Sequence, residues 1–130
     1  MRVFFRILIV LLLPLTGFPQ TGNRIIQDVV YGHKAGMALT YDVFLPGQNA
    51  NGAGIIHVIS GAWSSKYLPP DSIASNYKSY LDRGYTVFAL RHSSNPQFDI
   101  PEAVSDVQRG TWHIHDHCAD YGVDSTRLGI

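Results

Sequence analysis

The sequence has little cysteine and no excess of charge of either sign. Cys118 is the single cysteine in 130 residues. One cysteine cannot form an intramolecular disulfide, so the stability of the domain must come from a hydrophobic core. Ten Lys and Arg residues balance ten Asp and Glu residues, and no basic stripe or acidic tail stands out. We therefore expect no nucleic-acid partner.

The sequence also lacks an apolar segment long enough to span a bilayer, which takes roughly 20 residues. The apolar run at residues 7–15 is much shorter, follows Arg2 and Arg6, and precedes the polar residues 20–23. This layout predicts a secretory signal peptide over residues 1–20, with no clear small-residue cleavage triplet. We expect an exported protein, periplasmic or extracellular, without a stable membrane anchor after cleavage. An uncleaved anchor is the alternative.

The rest of the sequence alternates between strand-like and helix-like segments. Two β-rich segments around a Gly-containing turn predict an antiparallel hairpin. Short apolar runs then alternate with amphipathic segments, which predicts parallel βαβ units and one α/β domain. The predicted strands cover residues 25–31, 37–45, 55–59, 85–90 and 128–130, and the predicted helices cover residues 71–83 and 101–121.

A histidine-rich segment, TWHIHDHCADYG, lies in the second predicted helix. A helix turns by about 100° per residue, which places His113 and His117 on one side of the buried stripe and His115 on the other. The three rings therefore cannot bind one ion. We expect solvated histidines and no metal, and a secreted His-rich metal-binding protein is the alternative. The predicted stripe consists of Val104, Val107, Thr111, Ile114, Cys118 and Tyr121.

A second segment, IIHVISGAWSS at residues 55–65, carries a chemical signal. A buried strand ends there in small residues and turns towards a helix. In open α/β sheets, sites form beyond the carboxyl ends of the strands. Gly61 and Ala62 can present backbone N–H groups to an oxyanion, an interaction often worth several kcal/mol of the activation barrier. The alternative is an ordinary turn between a strand and a helix, and these residues alone do not decide.

This segment resembles the loop after the third strand of esterase- and lipase-type α/β-hydrolases, whose familiar form is His-Gly-Gly-Gly-Trp. Gly61 and Trp63 match that form, whereas Ile59 and Ser60 replace the His and the first Gly. The ordered resemblance covers nearly all of residues 25–130, and it is closest to the branch with feruloyl-esterase-like and acetyl-esterase-like exported enzymes. The further matching segments are LTYDVFLP at 39–46, LDRGYTVFALRH at 81–92, and the stretch from Ile100 to Ile130.

The resemblance implies the N-terminal part of an α/β-hydrolase fold with an incomplete sheet. It implies a serine hydrolase acting on carboxylic esters, carried by small molecules or polysaccharides, that uses no metal or organic cofactor. It assigns the oxyanion-hole N–H groups to Gly61 and Ala62, and the lining of the substrate cleft to Trp63.

The nucleophile motif of this family is missing. Gly-x-Ser-x-Gly follows the fifth strand in the family but occurs nowhere in the 130 residues. We therefore expect residues 21–130 to be a partial domain that stops short of the nucleophile elbow. It would contain no nucleophile, acid or base of a triad, and it would be inactive alone.

Other functional hypotheses stay open. A serine of the 60–65 loop could act as a nucleophile with His57 or His92, but no spacing implies a hydrogen-bonded base and a third group. The chain could also be a non-catalytic truncated product or a binding remnant. Peptidases of the prolyl-oligopeptidase type share the fold, so the fold does not decide between esters and peptides.

Overall fold

The computed structural model describes residues 22–130, and the predicted signal peptide, residues 1–20, lies outside the described residues. Five strands and two α-helices alternate in the predicted order. None of the helices within the described range is both long enough and apolar enough to cross a membrane. The elements are β1 (Arg24–Lys34), β2 (Met37–Leu45), β3 (Gly54–Val58), α1 (Pro70–Leu81), β4 (Thr86–Leu90), α2 (Ile100–His117) and β5 (Leu128–Gly129).

The strands form one mixed sheet in the order β1-β2-β4-β3-β5. The hairpin of β1 and β2 is antiparallel, and β2 also pairs antiparallel with β4. By contrast, β3 pairs parallel with β4 and β5. The predicted hairpin and the parallel βαβ units are therefore confirmed.

The sheet is covered by a helix on each face. Successive side chains of a strand point to opposite faces, and β4 shows this alternation clearly. Val87 and Ala89 belong to the apolar cluster that contains Tyr77 of α1. Phe88 belongs to the cluster that contains Ile114 of α2. This two-sided burial explains why β4 is an uninterrupted apolar run rather than an alternating one.

The two crossovers run in opposite directions along the sheet. From β3 the chain passes through α1 to β4, and from β4 it passes through α2 to β5 on the far side of β3. Parallel crossovers are right-handed, so opposite directions place the two helices on opposite faces. The loops that leave the carboxyl ends of β3 and β4 therefore diverge, and a crevice opens between them.

Specific residues mark the start and the end of α2. Asp99 Oδ1 accepts from the Glu102 N–H at 2.9 Å, and Glu102 Oε2 accepts from the Asp99 N–H at 3.0 Å. This reciprocal pair is a capping box. After His117 the chain tightens into a 3-10 turn, which Gly122 ends in the left-handed conformation, with φ 72°. The α-helix is therefore shorter than the predicted 101–121.

The buried face of α2 differs in part from the predicted stripe. Ile114 and Cys118 are buried as predicted, but Val104 is 42% exposed, so its prediction is wrong. In the first half of the helix the buried face passes through Asp106 and Gly110 instead. The carboxylate of Asp106 turns towards the sheet because its hydrogen-bond partners lie there.

Gly110 marks a close approach of α2 to the sheet. A Cβ atom at this position would lie 2.4 Å from Leu90 Cδ1. We expect Gly110→Ala to lower the free energy of unfolding by about 1–3 kcal/mol through overpacking. Helix propensity alone predicts the opposite, a gain of about 1 kcal/mol. Chemical denaturation of the two proteins measures the difference.

Ser105→Ala is the matched control, because Ser105 is exposed on the same helix. It should leave stability unchanged or slightly raised. A Gly110→Ala protein at least as stable as the wild type would contradict the close packing of α2 on β4.

Candidate active site

The crevice at the carboxyl ends of β3 and β4 lies between two loops. The first loop, residues 59–69, follows β3, and the second loop, residues 91–99, follows β4. The predicted site residues Gly61, Ala62 and Trp63 all lie in the first loop. Adjacent parallel strands whose loops diverge create the usual place for a ligand in an open α/β sheet.

A tight turn forms the tip of the first loop. The Gly61 N–H donates to the Ser64 carbonyl at 2.9 Å, and the Ser64 N–H donates to the Gly61 carbonyl at 3.0 Å. Ala62 and Trp63, with φ 48° and 61°, are both left-handed, as in a type I′ turn. Such turns favour Asn and Gly, and the left-handed conformation costs other residues about 1–2 kcal/mol each. Strained backbone of this kind is concentrated at functional sites.

The backbone N–H groups of the predicted site residues differ in their hydrogen bonding within this turn. The Gly61 N–H is paired with Ser64, so it can reach a ligand only if that hydrogen bond opens. The N–H groups of Ala62 and Trp63 have no acceptor among residues 22–130. The role of Gly61 and Ala62 in an oxyanion hole stays a prediction, as does that of Trp63 in the substrate cleft. Of the two predicted donors, Ala62 is the unpaired one in this conformation.

The second loop forms hydrogen bonds to backbone groups of the first loop. Ser94 Oγ accepts from the Ser65 N–H at 2.8 Å and donates to the Ser65 carbonyl at 3.2 Å. The Asn95 N–H donates to the Trp63 carbonyl at 3.3 Å. The position of the strained turn therefore depends on the second loop.

Arg91 anchors the start of the second loop to the hairpin. Its guanidinium donates to both carboxylate oxygens of Asp42, at 2.5 and 3.0 Å, and to Asp28 at 2.9 Å. The Tyr31 hydroxyl donates to the Arg91 carbonyl at 2.5 Å. Asp42 is fully buried, which is tolerable because its charge is paired and hydrogen-bonded.

Asp106 of α2 anchors Ser93, which lies two residues after Arg91 in the same loop. The Ser93 N–H donates to Asp106 Oδ2 at 3.1 Å, and the Ser93 hydroxyl donates to the same oxygen. Lys34 Nζ lies 3.1 Å from Oδ2 and 2.9 Å from Oδ1. Burial acts to raise the pKa of Asp106, but hydrogen bonds from Ser93 and Lys34 outweigh it, and the pKa is lowered. Sequence reasoning missed this anchor, although a carboxylate among inward-facing helix positions was an available signal.

An open cavity of about 290 Å³ lies beside the strained turn. Its walls are mostly apolar and come from β3, both loops and α2. Trp63 is 46% exposed at this cavity, and His92 is buried against it. An apolar cavity with a few polar groups nearby has the composition of a small-molecule site.

His57 and His92, the possible bases for a serine of the first loop, form hydrogen bonds to other groups. His57 Nδ1 pairs with the Tyr77 hydroxyl at 2.8 Å, and His92 Nδ1 pairs with the Ser93 carbonyl at 2.6 Å. Within residues 22–130, no hydrogen bond joins a histidine to a serine hydroxyl of the first loop. The absence of a triad among these residues therefore stays a prediction.

The histidines of α2 lie away from this crevice. His113 and His117 stack with their ring centroids 4.2 Å apart, and the His113 ring contacts the Tyr41 hydroxyl at 3.3 Å. His115 instead pairs with Asp116 on the exposed side. Burial, together with the charge of His117, lowers the pKa of His113. Across the described range no group of three or more His, Cys, Asp or Glu side chains has an arrangement that could hold a metal ion.

Comparison with known proteins gives one family and a set of similar structures. The BD-FAE family model matches residues 41–130, and no curated protein matches the chain. Esterase 2 from Thermogutta terrifontis, phosphoramylated by tabun, is 18% identical, with 85% of this chain and 43% of that chain covered and a TM-score of 0.65. An arylesterase is 20% identical, with 87% of this chain and 37% of that chain covered and a TM-score of 0.63.

A third similar structure is the bifunctional GH43-CE protein of Bacteroides eggerthii. It is 21% identical, with 88% of this chain and 16% of that chain covered and a TM-score of 0.67. The present chain thus spans less than half the length of each of these proteins. The comparisons confirm the predicted fold, the N-terminal part of an α/β-hydrolase with a sheet that is not closed.

Neutralising Asp106 tests the anchor of the second loop. Asp106→Asn removes the charge that faces Lys34, and breaking such a buried pair costs about 3 kcal/mol at neutral pH. The pKa of Asp106 is lowered in the folded state, so its contribution is present above the unfolded-state pKa and is lost as pH falls towards the folded-state pKa. Urea unfolding at several pH values should therefore show the gap between variant and wild type closing in acid.

Asp82→Asn is the matched control, because Asp82 forms an exposed pair with Lys78. It should cost less than about 1 kcal/mol at any pH. A gap for Asp106→Asn that stays constant from neutral pH into acid would show that its charge does not support the fold.

Replacing Ala62 with glycine tests whether the backbone of the turn is strained at this residue. Ala62→Gly removes the left-handed penalty of about 1–2 kcal/mol and increases unfolded-state entropy, which offsets about 0.4–1 kcal/mol of that gain. We expect an unchanged or slightly raised free energy of unfolding in urea. Ala74→Gly, in the middle of α1, is the control and should lose about 1 kcal/mol. Equal losses at both positions would mean that Ala62 is not left-handed in solution.

Proposed function

Since this chain belongs to the BD-FAE family, we propose that it supplies the oxyanion-hole side of an exported serine hydrolase that acts on carboxylic esters. The observation that carries the proposal is the Ala62 N–H, which is unpaired among residues 22–130 and lies in a strained turn at the crevice. A free donor held in a costly conformation beside an apolar cavity suits a developing negative charge.

The proposed reaction proceeds through an acyl-enzyme. A serine oxygen attacks the ester carbonyl carbon and loses its proton to a base, and the carbonyl oxygen becomes an oxyanion. The Ala62 N–H donates to that oxygen together with the N–H of the residue that follows the nucleophile, the arrangement typical of α/β-hydrolases. The intermediate collapses and releases the alcohol, which takes up the proton held by the base. Water then loses a proton to the same base and attacks the acyl-enzyme, which releases the acid and returns that proton to the serine oxygen. One such donor is typically worth 10²- to 10³-fold, about 3–4 kcal/mol, in kcat.

We place the nucleophile, the base and the acid of the triad outside the described residues. Support comes from the serines of the first loop, which have no histidine partner within residues 22–130, and from the missing Gly-x-Ser-x-Gly motif. The similar structures are also much longer than this chain, which covers 43% of the Thermogutta esterase. A non-catalytic binding role is the second candidate, and the same lack of an activated serine favours it.

The substrate and the location are part of the proposal. We propose that a small molecule or a polysaccharide carries the ester, and the likeness to a bifunctional GH43-CE protein supports the second source. Trp63 would line the acyl or alcohol side of the cleft, where it is 46% exposed. Export is supported by the order of basic, apolar and polar residues over positions 1–23.

The proposal is tested with two proteins. Residues 23–130 alone should release p-nitrophenol from p-nitrophenyl acetate no faster than a heat-treated sample. The product of the complete reading frame should contain Gly-x-Ser-x-Gly after the fifth strand and should hydrolyse the ester. It should also gain the mass of one diethylphosphoryl group on that serine when it is treated with paraoxon.

Replacing that serine with alanine is the control, and it should abolish both hydrolysis and phosphorylation. Turnover by residues 23–130 would show that the nucleophile lies in the described part. A complete product that neither hydrolyses the ester nor reacts with paraoxon would favour the non-catalytic binding role.

A further inference from the structure

The His92 side chain has an unused hydrogen-bonding atom. The residue is 7% exposed, and its Nδ1 lies 2.6 Å from the Ser93 carbonyl oxygen. A carbonyl oxygen can only accept, so a neutral His92 ring must carry its proton on Nδ1. Its Nε2 atom then has a lone pair and no hydrogen. In this tautomer Nε2 can accept a hydrogen bond but cannot donate one.

Nε2 of His92 has no partner among residues 22–130. It is also not among the fully enclosed side-chain polar atoms of that range that lack a hydrogen bond. The atom is therefore not fully enclosed. His92 lines two cavities, the one of about 290 Å³ beside Trp63 and another of about 390 Å³.

The two cavities differ in what they offer a ligand. The larger one is lined in part by Arg91, Ser93 and Ser94, which bring polar groups of their own. The smaller one has apolar walls from Val58, Ala103, Val104 and Val107. A ligand whose hydroxyl group reaches Nε2 from the smaller cavity can bury an apolar body against these walls. An engineered apolar cavity of about 150 Å³ holds a benzene molecule, so a six-membered ring fits by volume.

We propose that the cavity between Trp63 and His92 binds a mostly apolar alcohol, whose hydroxyl group donates to Nε2 of His92. The inference deepens the proposed function and rests on it for its meaning, because it assigns this cavity to an alcohol portion with a free hydroxyl. His92 acts here as a specificity residue. It selects a hydrogen-bond donor of the ligand and rejects a ligand that can only accept.

Cyclohexanol and cyclohexanone are the probes. They have the same ring and nearly the same size, but only the alcohol has a hydrogen to donate. Each is titrated into the full chain at one fixed, mildly alkaline pH. NMR follows the side-chain nitrogens of His92 and the indole N–H of Trp63. We expect cyclohexanol to bind about tenfold more tightly, the effect of one hydrogen bond, and to shift the Nε2 resonance.

Three variants distinguish the contribution of His92 to binding from that of the other cavity residues. His92→Leu should make the two affinities equal, whereas Val104→Trp should fill the cavity and weaken both. Gln108 lines the same cavity, and Gln108→Leu should keep the preference for the alcohol. If His92→Leu does not fold, the shift of Nε2 in the wild type decides the question.

Three results would overturn the inference: equal affinities in the wild type, a preference that survives in His92→Leu, or perturbations centred on Arg91 and Tyr67 in the other cavity. None of these measurements requires ester hydrolysis. A protein that prefers cyclohexanol but hydrolyses no ester would leave this inference standing while the proposed function fails. A hydrolase without that preference would give the reverse outcome.

Discussion

The carboxylate of Asp106 joins three parts of the molecule that are far apart in sequence. It belongs to α2, it pairs with Lys34 at the end of β1, and it accepts two hydrogen bonds from Ser93 in the loop after β4. A buried carboxylate is costly unless its lone pairs are satisfied. The loop can therefore move away from α2 only by removing the two Ser93 hydrogen bonds from a buried carboxylate.

The candidate site is built on that constraint. Ser93 is flanked by His92, which faces the apolar cavity, and by Ser94, which bonds both backbone groups of Ser65. Arg91 adds a second anchor through Asp42. The loop after β4 is thus a rigid support for the loop after β3. Rigid support is what a strained turn needs, because its left-handed residues would otherwise relax to a cheaper conformation.

The topology explains why this support lies at the crevice. The two crossovers diverge, so the loops after β3 and β4 leave the sheet towards opposite faces and must be tied together by specific bonds. Asn95 and Ser94 make those bonds from one loop to the other. The apolar cavity occupies the space between the loops and α2. The main-chain donor and the apolar surface are brought together by the order of the strands.

Much of this fold is visible in the sequence, because apolar runs and helical periodicity are local signals. The strands β3 and β4 were predictable as continuous apolar runs, since both of their faces are covered. The buried carboxylates were not predictable in the same way. Hydropathy treats Asp as a surface residue, and the basic partners, Arg91 for Asp42 and Lys34 for Asp106, lie 49 and 72 residues away in the sequence.

The geometry of the site was the least predictable part. The resemblance led to Gly61, Ala62 and Trp63, but it did not indicate that the Gly61 N–H pairs with Ser64. The intrinsic preferences of Ala and Trp favour negative φ. Hydrogen bonds from the second loop, which have no local sequence signal, hold these residues in the left-handed region. Val104 shows the same limitation. The apolar pattern places it on the buried face, but that face passes through Asp106 and Gly110 instead.

The most direct test is a crystal structure of the complete protein after reaction with paraoxon. The phosphoryl oxygen then occupies the position of the oxyanion. The account predicts that this oxygen lies about 3 Å from the backbone nitrogen of Ala62, the spacing of an oxyanion-hole hydrogen bond. An oxygen that contacts other donors while the Ala62 N–H points elsewhere would contradict it.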